Sequence, residues 1–411
     1  MQMKRPELLS PAGNFEKMRA AIRYGADAVY LSGEMFGMRA AADNFTLAEL
    51  REAVKYAHER SVKVYLTVNT MPRENEYPLL EKYFSEISDI GLDALIIADV
   101  GVLELAKRLL PNTEIHISTQ ANAVSSAACR AWYALGAKRV VLARELTLEE
   151  IKAIRQNLPE ELELECFIHG SMCISYSGRC LLSGHMIGRD ANRGMCAQPC
   201  RWNYTIRGYE VVEEKRPDIP IPLEEIGGET FMMASRDTCT IEHIPELIEA
   251  GISSFKIEGR MKSAYYTAVV TNAYKMAIDS YFSGSYAYDP AWRRELESVS
   301  HRDYATGYYF SDSRTDANTA ENNGYIKDKA YLAVVESYDK TTSLALMSQR
   351  NKMSVGEDAE IVSCGKCGIP LKIGELFDES GEPIESTPHP YMKFYMKMPF
   401  EVHEGDILRA N

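Results

Sequence analysis

The stretch ALIIADVGVLELAKRLLPNTEIHIS, residues 94–118, carries the pattern that decides the fold. It begins with an apolar run at Ala94–Ala98, continues with a helical pattern at Val100–Leu110 and ends with a second strand-like run at Glu114–Ser118. Short, nearly continuous apolar runs are typical of strands that helices cover on both faces. A strand, a helix and a second strand in this order predict a unit of parallel sheet.

The same alternation continues on both sides of this stretch. Further strand-like runs lie at Glu7–Ser10, Ala28–Leu31, Lys63–Val68, Arg139–Leu142, Leu162–Ile168, Phe231–Ala234 and Ser254–Ile257. Asn14, Thr46 and Thr147 stand where a side-chain oxygen can cap the helix that follows. We therefore predict an α/β protein with a TIM-like (β/α)8 barrel. The nine runs exceed the eight strands of such a barrel, so either one strand pairs outside the barrel or the barrel is irregular.

The pattern changes after a polar segment at Arg302–Asn323. Beyond it, strand-like runs lie at Tyr331–Glu336, Ser343–Met347, Asp358–Val362, Met392–Met396 and Asp406–Leu408. Short alternating runs separated by turn residues are typical of an antiparallel β-domain. We predict two domains: a barrel at residues 1–325 with a cysteine-rich insert at about residues 169–228, and a small β-barrel or sandwich at residues 326–411.

The composition bears on the compartment and on the partners. The 411 residues include nine cysteines and carry a net charge of −13. No uninterrupted apolar stretch reaches the length of about 18 residues that a membrane span requires. We expect a cytoplasmic protein whose cysteines serve as thiols or metal ligands rather than in disulfides. Because an acidic surface repels nucleic acid, an RNA partner would need a local basic patch.

One candidate patch lies in the insert, where cations alternate with aromatic rings that can stack on bases. Its members are Tyr176, Arg179, Arg189, Arg193, Arg201 and Trp202. The alternative is that the arginines form surface ion pairs and that the rings pack the insert against the barrel. The sequence leaves both interpretations open.

Several cysteines follow the last strands of the predicted barrel. They are Cys173, Cys180, Cys196, Cys200 and Cys239. Loops after parallel strands meet at the carboxyl-terminal face of a barrel, so these thiols can converge there. Thiolates are soft ligands that suit an iron–sulfur cluster or zinc, and the spacing alone favours neither. A separate pair, Cys364 and Cys367, makes at most half a metal site and is interpreted as two weakly redox-active thiols.

Four blocks of the sequence resemble peptidase family U32, the collagenase-like protease family. The longest is ECFIHGSMCISYSGRCLLS at residues 165–183, and the others lie at residues 7–13, 194–201 and 255–260. The resemblance covers essentially the whole chain and looks most like the branch that hydroxylates the wobble uridine of tRNA. It implies an oxygen-independent RNA hydroxylase that forms 5-hydroxyuridine, holds a [4Fe–4S] cluster and uses prephenate.

The resemblance also implies cluster ligands and partners. The ligands would be Cys173, Cys180 and Cys196, with Cys239 or Cys200 as the fourth. The expected partners are tRNA, the iron–sulfur assembly machinery and a homologous partner subunit, with no membrane involved.

Charged residues at the ends of barrel strands are the candidates for the reaction itself. A dianionic co-substrate such as prephenate needs cationic partners, for which we predict Lys256, Arg260 and Arg144. We predict His169 and Glu258 as catalytic groups that position or transfer a proton. The alternative for Lys256 is an internal ion pair with Glu258.

Two other functions stay open from the sequence. One is a peptidase that uses a metal or a thiol, such as Cys173 beside His169. The motifs H-E-x-x-H and Gly-x-Ser-x-Gly, which would support a peptidase, do not occur. The other function is a non-catalytic RNA-binding or assembly factor with a structural metal.

Overall fold

The computed structural model describes residues 4–38, 43–173, 175–176, 179–201, 235–284, 286–311, 326 and 329–411, and the backbone of four short strands between residues 211 and 231. The strands up to residue 311 are β1 (Glu7–Pro11), β2 (Ala28–Leu31), β3 (Lys63–Val68), β4 (Ala94–Ile97), β5 (Glu114–Ile117), β6 (Arg139–Val141), β7 (Glu163–Ser171), β8 (Val211–Glu213), β9 (Arg216–Ile221), β10 (Glu224–Ile226), β11 (Glu229–Phe231), β12 (Asp237–Cys239), β13 (Ser254–Ile257) and β14 (Tyr304–Ala305). The helices are α1 (Phe15–Arg23), α2 (Leu47–His58), α3 (Tyr77–Ile87), α4 (Val100–Leu109), α5 (Ser126–Ala134), α6 (Leu148–Gln156), α7 (Leu182–Ile187), α8 (Ile244–Glu249), α9 (Ala264–Phe282) and α10 (Pro290–Glu297). Among the described helices, none is both long enough and apolar enough to cross a membrane.

Eight parallel strands of the described chain, β1–β7 and β13, close into a barrel and alternate with helices, which confirms the predicted TIM-like fold. Closure is made by β13, which pairs with β1 on one side and with β7 on the other. Phe255 of β13 is aligned with both Leu8 and Cys166. The main apolar core lies between the outer faces of these strands and the helices, and Leu8 and Phe255 are fully buried in it.

The predicted helix caps are also confirmed. Thr46 and Thr147 each accept the backbone N–H three residues further on, and the side chains of Glu49 and Glu150 reach back to complete two capping boxes. Asn14 caps α1 through its side-chain oxygen. These caps fix the points at which the chain turns from a strand into the next helix at the carboxyl-terminal face of the barrel.

The additional strand is β12, which pairs outside the barrel: antiparallel with the outer part of β7 and parallel with β14. The apolar pattern predicts this strand at Phe231–Ala234, of which only Phe231 is described, as the last residue of the hairpin strand β11. The strand that joins the sheet is polar. Asp237 is tolerated in β12 because its carboxylate accepts the backbone N–H of Arg302, a distant contact that local patterns do not reveal.

The described residues from 329 onward form the predicted antiparallel β-domain. Its strands are β15 (Tyr331–Asp339), β16 (Leu344–Gln349), β17 (Asp358–Val362), β18 (Ile369–Lys372), β19 (Leu376–Phe377), β20 (Pro383–Ile384), β21 (Lys393–Lys397) and β22 (Ile407–Ala410). They form one sheet in the order β18–β17–β22–β15–β16–β21–β19–β20 around an apolar core that includes Ala333, Met347 and Phe394. The sequence predicts β15, β16, β17, β21 and β22 and misses the three short strands between β17 and β21.

Arg409 of β22 joins this domain to the barrel domain. Its guanidinium donates to both carboxylate oxygens of Glu295 on α10, at 2.8 and 2.7 Å, and to Glu360 of β17 at 2.7 Å. It also donates to the hydroxyls of Tyr265 and Ser298. Because Arg409 and Glu295 are both buried, the loss of either one would leave a charge without its partner in a water-poor environment.

We expect Arg409→Ala to lower the free energy of unfolding by about 3–5 kcal/mol, because two carboxylates lose a shared buried cation. Urea unfolding followed by circular dichroism measures this loss. The matched control is Lys372→Ala, which removes an exposed pair with Asp358 at 2.8 Å and should cost less than about 1 kcal/mol. Equal losses in the two variants would contradict the role of Arg409.

Candidate active site at the mouth of the barrel

A small cavity lies at the carboxyl-terminal ends of the barrel strands. Neutral polar side chains on one side of it are Thr67, Asn69, Ser118 and Gln120. Charged side chains on the other side are Arg144, Lys256, Glu258 and Arg260. These are the four charged residues that the sequence nominates for the reaction, and the fold brings them to one place. The cavity volume of about 70 Å³ is well below the roughly 300–1,000 Å³ of ordinary ligand sites.

The loop after β2 covers the cavity, and the cysteine-rich insert packs against this loop. Met38 of this loop is buried, lines the cavity and donates its N–H to Asn69 Oδ1 at 3.3 Å. Gly194 of the insert lies directly against the same loop, since a Cβ added there would stand 2.8 Å from the carbonyl oxygen of Gly37. A ligand of ordinary size therefore requires this cover to move.

Lys256 is held by a buried carboxylate. Its Nζ lies 2.7 Å from Oε1 of Glu165, a residue with no exposed surface. The ring centroids of Tyr30 and Phe167 lie 4.6 and 5.4 Å from the same nitrogen. The internal ion pair expected for Lys256 thus exists, but its described partner is Glu165 and not Glu258.

Glu165 also contacts a second cation deeper in the barrel. Its Oε2 accepts from Arg139 Nη1 at 3.2 Å, and Arg139 pairs in addition with Glu7 and Glu163, each at 2.6 Å. Burial raises the pKa of Glu165, but the nearby Lys256 and Arg139 outweigh burial and lower the pKa to about 2. Glu165 therefore stays ionised at physiological pH, and its charge fixes the position of the Lys256 ammonium group.

Hydrogen bonds orient two of the other charged groups at the mouth. Arg144 Nη1 donates to the carbonyl oxygen of Ser171 at 3.1 Å, where β7 ends. Glu258 Oε2 accepts from the Tyr30 hydroxyl at 3.3 Å. Arg260 is 4% exposed. An anionic ligand in the cavity would meet three cations and one carboxylate, and Lys256 among these cations is paired with Glu165.

Gln120 is a functional candidate that the sequence alone does not distinguish from other polar residues at the ends of barrel strands. Its Oε1 is buried and accepts no hydrogen bond within the described part of the chain. A buried acceptor without a donor is unfavourable, so a ligand or water is expected to supply one. The signal in the sequence is position alone, because Gln120 and Asn69 each follow the end of a barrel strand.

His169 lies on the outer side of the barrel wall, away from the cavity. Its ring is 1% exposed and lies between Tyr274 and Tyr304, whose hydroxyl oxygens are 3.3 Å from Nδ1 and 3.4 Å from Nε2. Burial lowers the pKa of His169 well below its usual value, so the ring is neutral. A register shift between β7 and β13 aligns His169 with Ile257, which packs in the outer core. Strict alternation of side chains along β7 from Phe167, which lines the cavity, would place His169 in the cavity as well. The register shift places it on the outer side of the barrel instead.

The proposed cluster ligands lie in different parts of the structure. Cys173 lies two residues beyond β7, whereas Cys239 of β12 is buried and aligned with His169. Burial raises the pKa of Cys239, which keeps its sulfur as a thiol. In the part of the chain that the structure covers, no group of three or more His, Cys, Asp or Glu side chains is arranged to hold a metal. As placed, these residues do not form a cluster site.

The cysteines of the insert nevertheless have the right donor chemistry. Cys180, Cys196 and Cys200 are reduced thiols in the structure and are at least partly exposed. Sγ of Cys196 accepts the backbone N–H of Gln198 at 3.4 Å, the kind of bond that supports a ligand thiolate. A cluster on these sulfurs therefore requires a different arrangement of the insert.

The arginine patch predicted in the insert is described only in part. Arg193 forms an ion pair with Glu76, as the alternative interpretation proposes. Tyr176 is 48% exposed, and Arg179 and Arg189 are exposed as well. The side chain of Arg201 and the whole of Trp202 lie outside the described residues.

We expect Glu165→Gln to lower the free energy of unfolding by about 3 kcal/mol at pH 7, because Lys256 and Arg139 lose a buried counter-charge. An unfolded glutamate has a pKa of about 4.3, so the ionised Glu165 stabilises the folded protein fully above that pH and less as pH falls towards 2. The difference between wild type and variant should therefore shrink on acidification. Urea unfolding at pH 7, 4 and 3 measures it.

The control for this experiment is Glu163→Gln, since Glu163 also pairs with Arg139 but its side chain is 31% exposed. It should cost less than about 1 kcal/mol at pH 7. A pH-independent difference between wild type and Glu165→Gln would show that Glu165 is not ionised in the folded protein.

Comparison with known proteins identifies the family. The family models "Peptidase family U32" and "Peptidase family U32 C-terminal domain" match residues 13–319 and 327–409. "tRNA hydroxylation protein P1" of Bacillus subtilis (strain 168) is 36% identical over 99% of this chain and 95% of its own length. "tRNA hydroxylation protein P" of Escherichia coli (strain K12) is 33% identical, over 93% and 91%, and "Collagenase" of Porphyromonas gingivalis (strain ATCC BAA-308 / W83) is 31% identical, over 90% and 89%. The chain belongs to peptidase family U32.

Proposed function

We propose that this protein is an RNA hydroxylase that acts on tRNA and forms 5-hydroxyuridine at the wobble position. The observation that carries the proposal is near full-length similarity to relatives named for tRNA hydroxylation. The cavity at the mouth of the barrel supports it, because active sites of this fold lie at the carboxyl-terminal ends of the strands.

The cations of the cavity have the chemistry needed for an anionic co-substrate. A dicarboxylate such as prephenate would bind Arg144 and Arg260, with Lys256 held in place by Glu165 as the third cation. Glu258, hydrogen-bonded to the Tyr30 hydroxyl, is the group at this site that can accept a proton from the substrate. His169 faces tyrosines on the outer side of the barrel wall, so we assign it a positioning role instead.

The proposal includes a [4Fe–4S] cluster, which supplies electron transfer when bound. Its ligands would be Cys173, Cys180 and Cys196, with Cys200 or Cys239 as the fourth. What supports the cluster is the family resemblance and the soft thiol donors of the insert. Assembly of the site would require movement of the insert, the same segment that contacts the cover of the cavity through Gly194.

A peptidase is the second candidate, since one relative is named a collagenase. A thiol peptidase built on Cys173 would need a base such as His169 aimed at the sulfur. Both ring nitrogens of His169 instead face the hydroxyls of Tyr274 and Tyr304. This geometry favours the hydroxylase over a peptidase that uses this pair.

The hydroxylation is tested by nucleoside mass spectrometry of tRNA from a deletion strain that carries wild type or variant protein. We expect wild type to restore nucleosides derived from 5-hydroxyuridine, and Arg260→Ala or Arg144→Ala to reduce them at least about tenfold, because each removes a charged hydrogen bond to the co-substrate. Arg51→Ala, which removes an exposed surface pair with Asp89, should behave as wild type. If the deletion strain, lacking any paralogous enzyme, keeps these nucleosides unchanged, the tRNA assignment is wrong.

The cofactor is tested by anaerobic purification and metal analysis. We expect about four irons per chain and absorbance in the visible range, both lost in Cys173→Ser, Cys180→Ser and Cys196→Ser, because each removes a thiolate ligand. Cys129→Ser, a buried helix residue outside the insert, is the control and should keep the iron. Comparison of Cys200→Ser with Cys239→Ser identifies the fourth ligand.

The same preparation separates the other candidate functions. One tightly bound zinc without iron would indicate the structural-metal alternative. Cleavage of casein or gelatin that disappears in Cys173→Ala would indicate the peptidase.

A further inference from the structure

A large groove runs along the seam between the barrel domain and the β-domain. Its volume is about 1010 Å³, and it lies between α1 and the end of α2 on one side and β15, β22 and Arg350 on the other. It is open to solvent and is separate from the cavity at the mouth, with which it shares no lining residue. The activity proposed above assigns no role to it.

The barrel side of the groove carries two arginines stacked on one tyrosine. The guanidinium carbons of Arg19 and Arg60 lie 5.4 and 3.7 Å from the ring centroid of Tyr56. Arg19 also lies 5.7 Å from the ring of Phe15. Such contacts hold a cation in place without neutralising it.

Arg19 is an available cation in the described structure. It is exposed, and it makes neither a hydrogen bond nor an ion pair with any residue that the structure describes. Arg60 donates one N–H to the Tyr56 carbonyl oxygen at 3.0 Å and forms an ion pair with Glu59 at 3.6 Å. Most N–H donors of the two guanidinium groups thus have no acceptor among the residues that the structure describes.

The β-domain side adds an aromatic surface. Arg350 lies 5.7 Å from the ring of Tyr331 and 5.0 Å from that of Tyr391, and it pairs with Glu16 at 2.9 Å across the groove. Tyr391 is 69% exposed. Tyr391 does not line the groove but neighbours Arg350, which does, and a base can stack on the exposed part of such a ring whatever the base's identity.

Four carboxylates line the groove, namely Glu16, Asp27, Glu336 and Glu404, and two of them pair with described cations. Glu16 pairs with Arg350, and Glu336 pairs with Lys393 at 2.8 Å. Asp27 accepts the N–H of Leu8 at 2.9 Å. In a chain of net charge −13, Arg19 is the groove arginine that has no described carboxylate partner, and Arg60 has only its 3.6 Å pair with Glu59.

The end of the groove at the start of α1 lies close to the mouth of the barrel. Glu16, which lines the groove, is followed on α1 by Lys17, whose Nζ donates to the carbonyl oxygen of Arg260 at 3.2 Å. Arg260 lines the mouth cavity. The groove wall along α1 thus begins next to a residue of the mouth, so an extended RNA can contact both regions.

We infer that this groove binds the phosphodiester backbone of the RNA substrate. Arg19 and Arg60 contact phosphates, and Tyr391 stacks on an unpaired base. The inference rests on the proposed function, in which the substrate is tRNA. Stacked arginines interleaved with an exposed ring fit a nucleic acid better than an acidic peptide, which would have no use for the open face of Tyr391.

The test measures tRNA affinity by fluorescence anisotropy at several salt concentrations, with full-length protein. We expect Arg19→Ala/Arg60→Ala to weaken binding at least about tenfold and to reduce the slope of log affinity against log salt by roughly one to two, because each lost phosphate contact removes released counterions. Tyr391→Ala should weaken binding with little change in that slope. Arg51→Ala on α2, which lies outside the groove, is the matched control and should bind as wild type.

The failure of this inference is distinguishable from failure of the proposed function. Unchanged affinity and slope in Arg19→Ala/Arg60→Ala, while wild type still restores hydroxylated tRNA in the deletion strain, would overturn the groove alone. Wild type that fails to restore hydroxylated tRNA would overturn the function. Arg144→Ala that binds tRNA as wild type but does not hydroxylate it would support separate roles for mouth and groove.

Discussion

The ion pair between Glu165 and Lys256 is the interaction on which the mouth of the barrel depends. Both side chains point into the barrel from neighbouring strands, and both are shielded from water. An ion pair so deeply buried stabilises a fold only when its members have further partners, and Glu165 has one in Arg139. The same pair fixes the one cation of the cavity that comes from a barrel strand rather than from a loop.

The architecture was predictable because it follows from local patterns. Apolar runs between capped helices specify a closed parallel barrel, and Thr46 and Thr147 mark the helix starts to the residue. The position of β12 was not predictable, since Asp237 is paired with a backbone N–H some 65 residues away. A polar strand of this kind depends on tertiary contacts that no short window of sequence contains.

The site shows the same division between local and distant causes. Arg144, Lys256, Glu258 and Arg260 follow or end barrel strands, so the topology alone brings them together. His169 also lies near the end of a barrel strand, but its side chain faces the outer side of the barrel. A register shift between β7 and β13 turns the chain at this point. Gly170 lies beside the shift with a φ of +109°, and the carbonyl oxygen of Glu258 leaves no room for a Cβ there. Strict alternation assumes regular pairing, and the pairing of β7 is irregular where it leaves the barrel.

In this acidic protein, the mouth cavity and the groove hold their cations in different ways. Lys256 is paired with the carboxylate of Glu165, which sets the position of its ammonium group within the cavity. The same pairing weakens the attraction between Lys256 and an anionic ligand. Arg19 is held by the faces of Phe15 and Tyr56, which orient the guanidinium group and leave its N–H donors to solvent. A small ligand whose reacting atoms need exact placement suits the first arrangement. A long, uniformly charged polymer, which can shift along its contacts, suits the second, and this is why the groove rather than the mouth is the expected place for the RNA backbone.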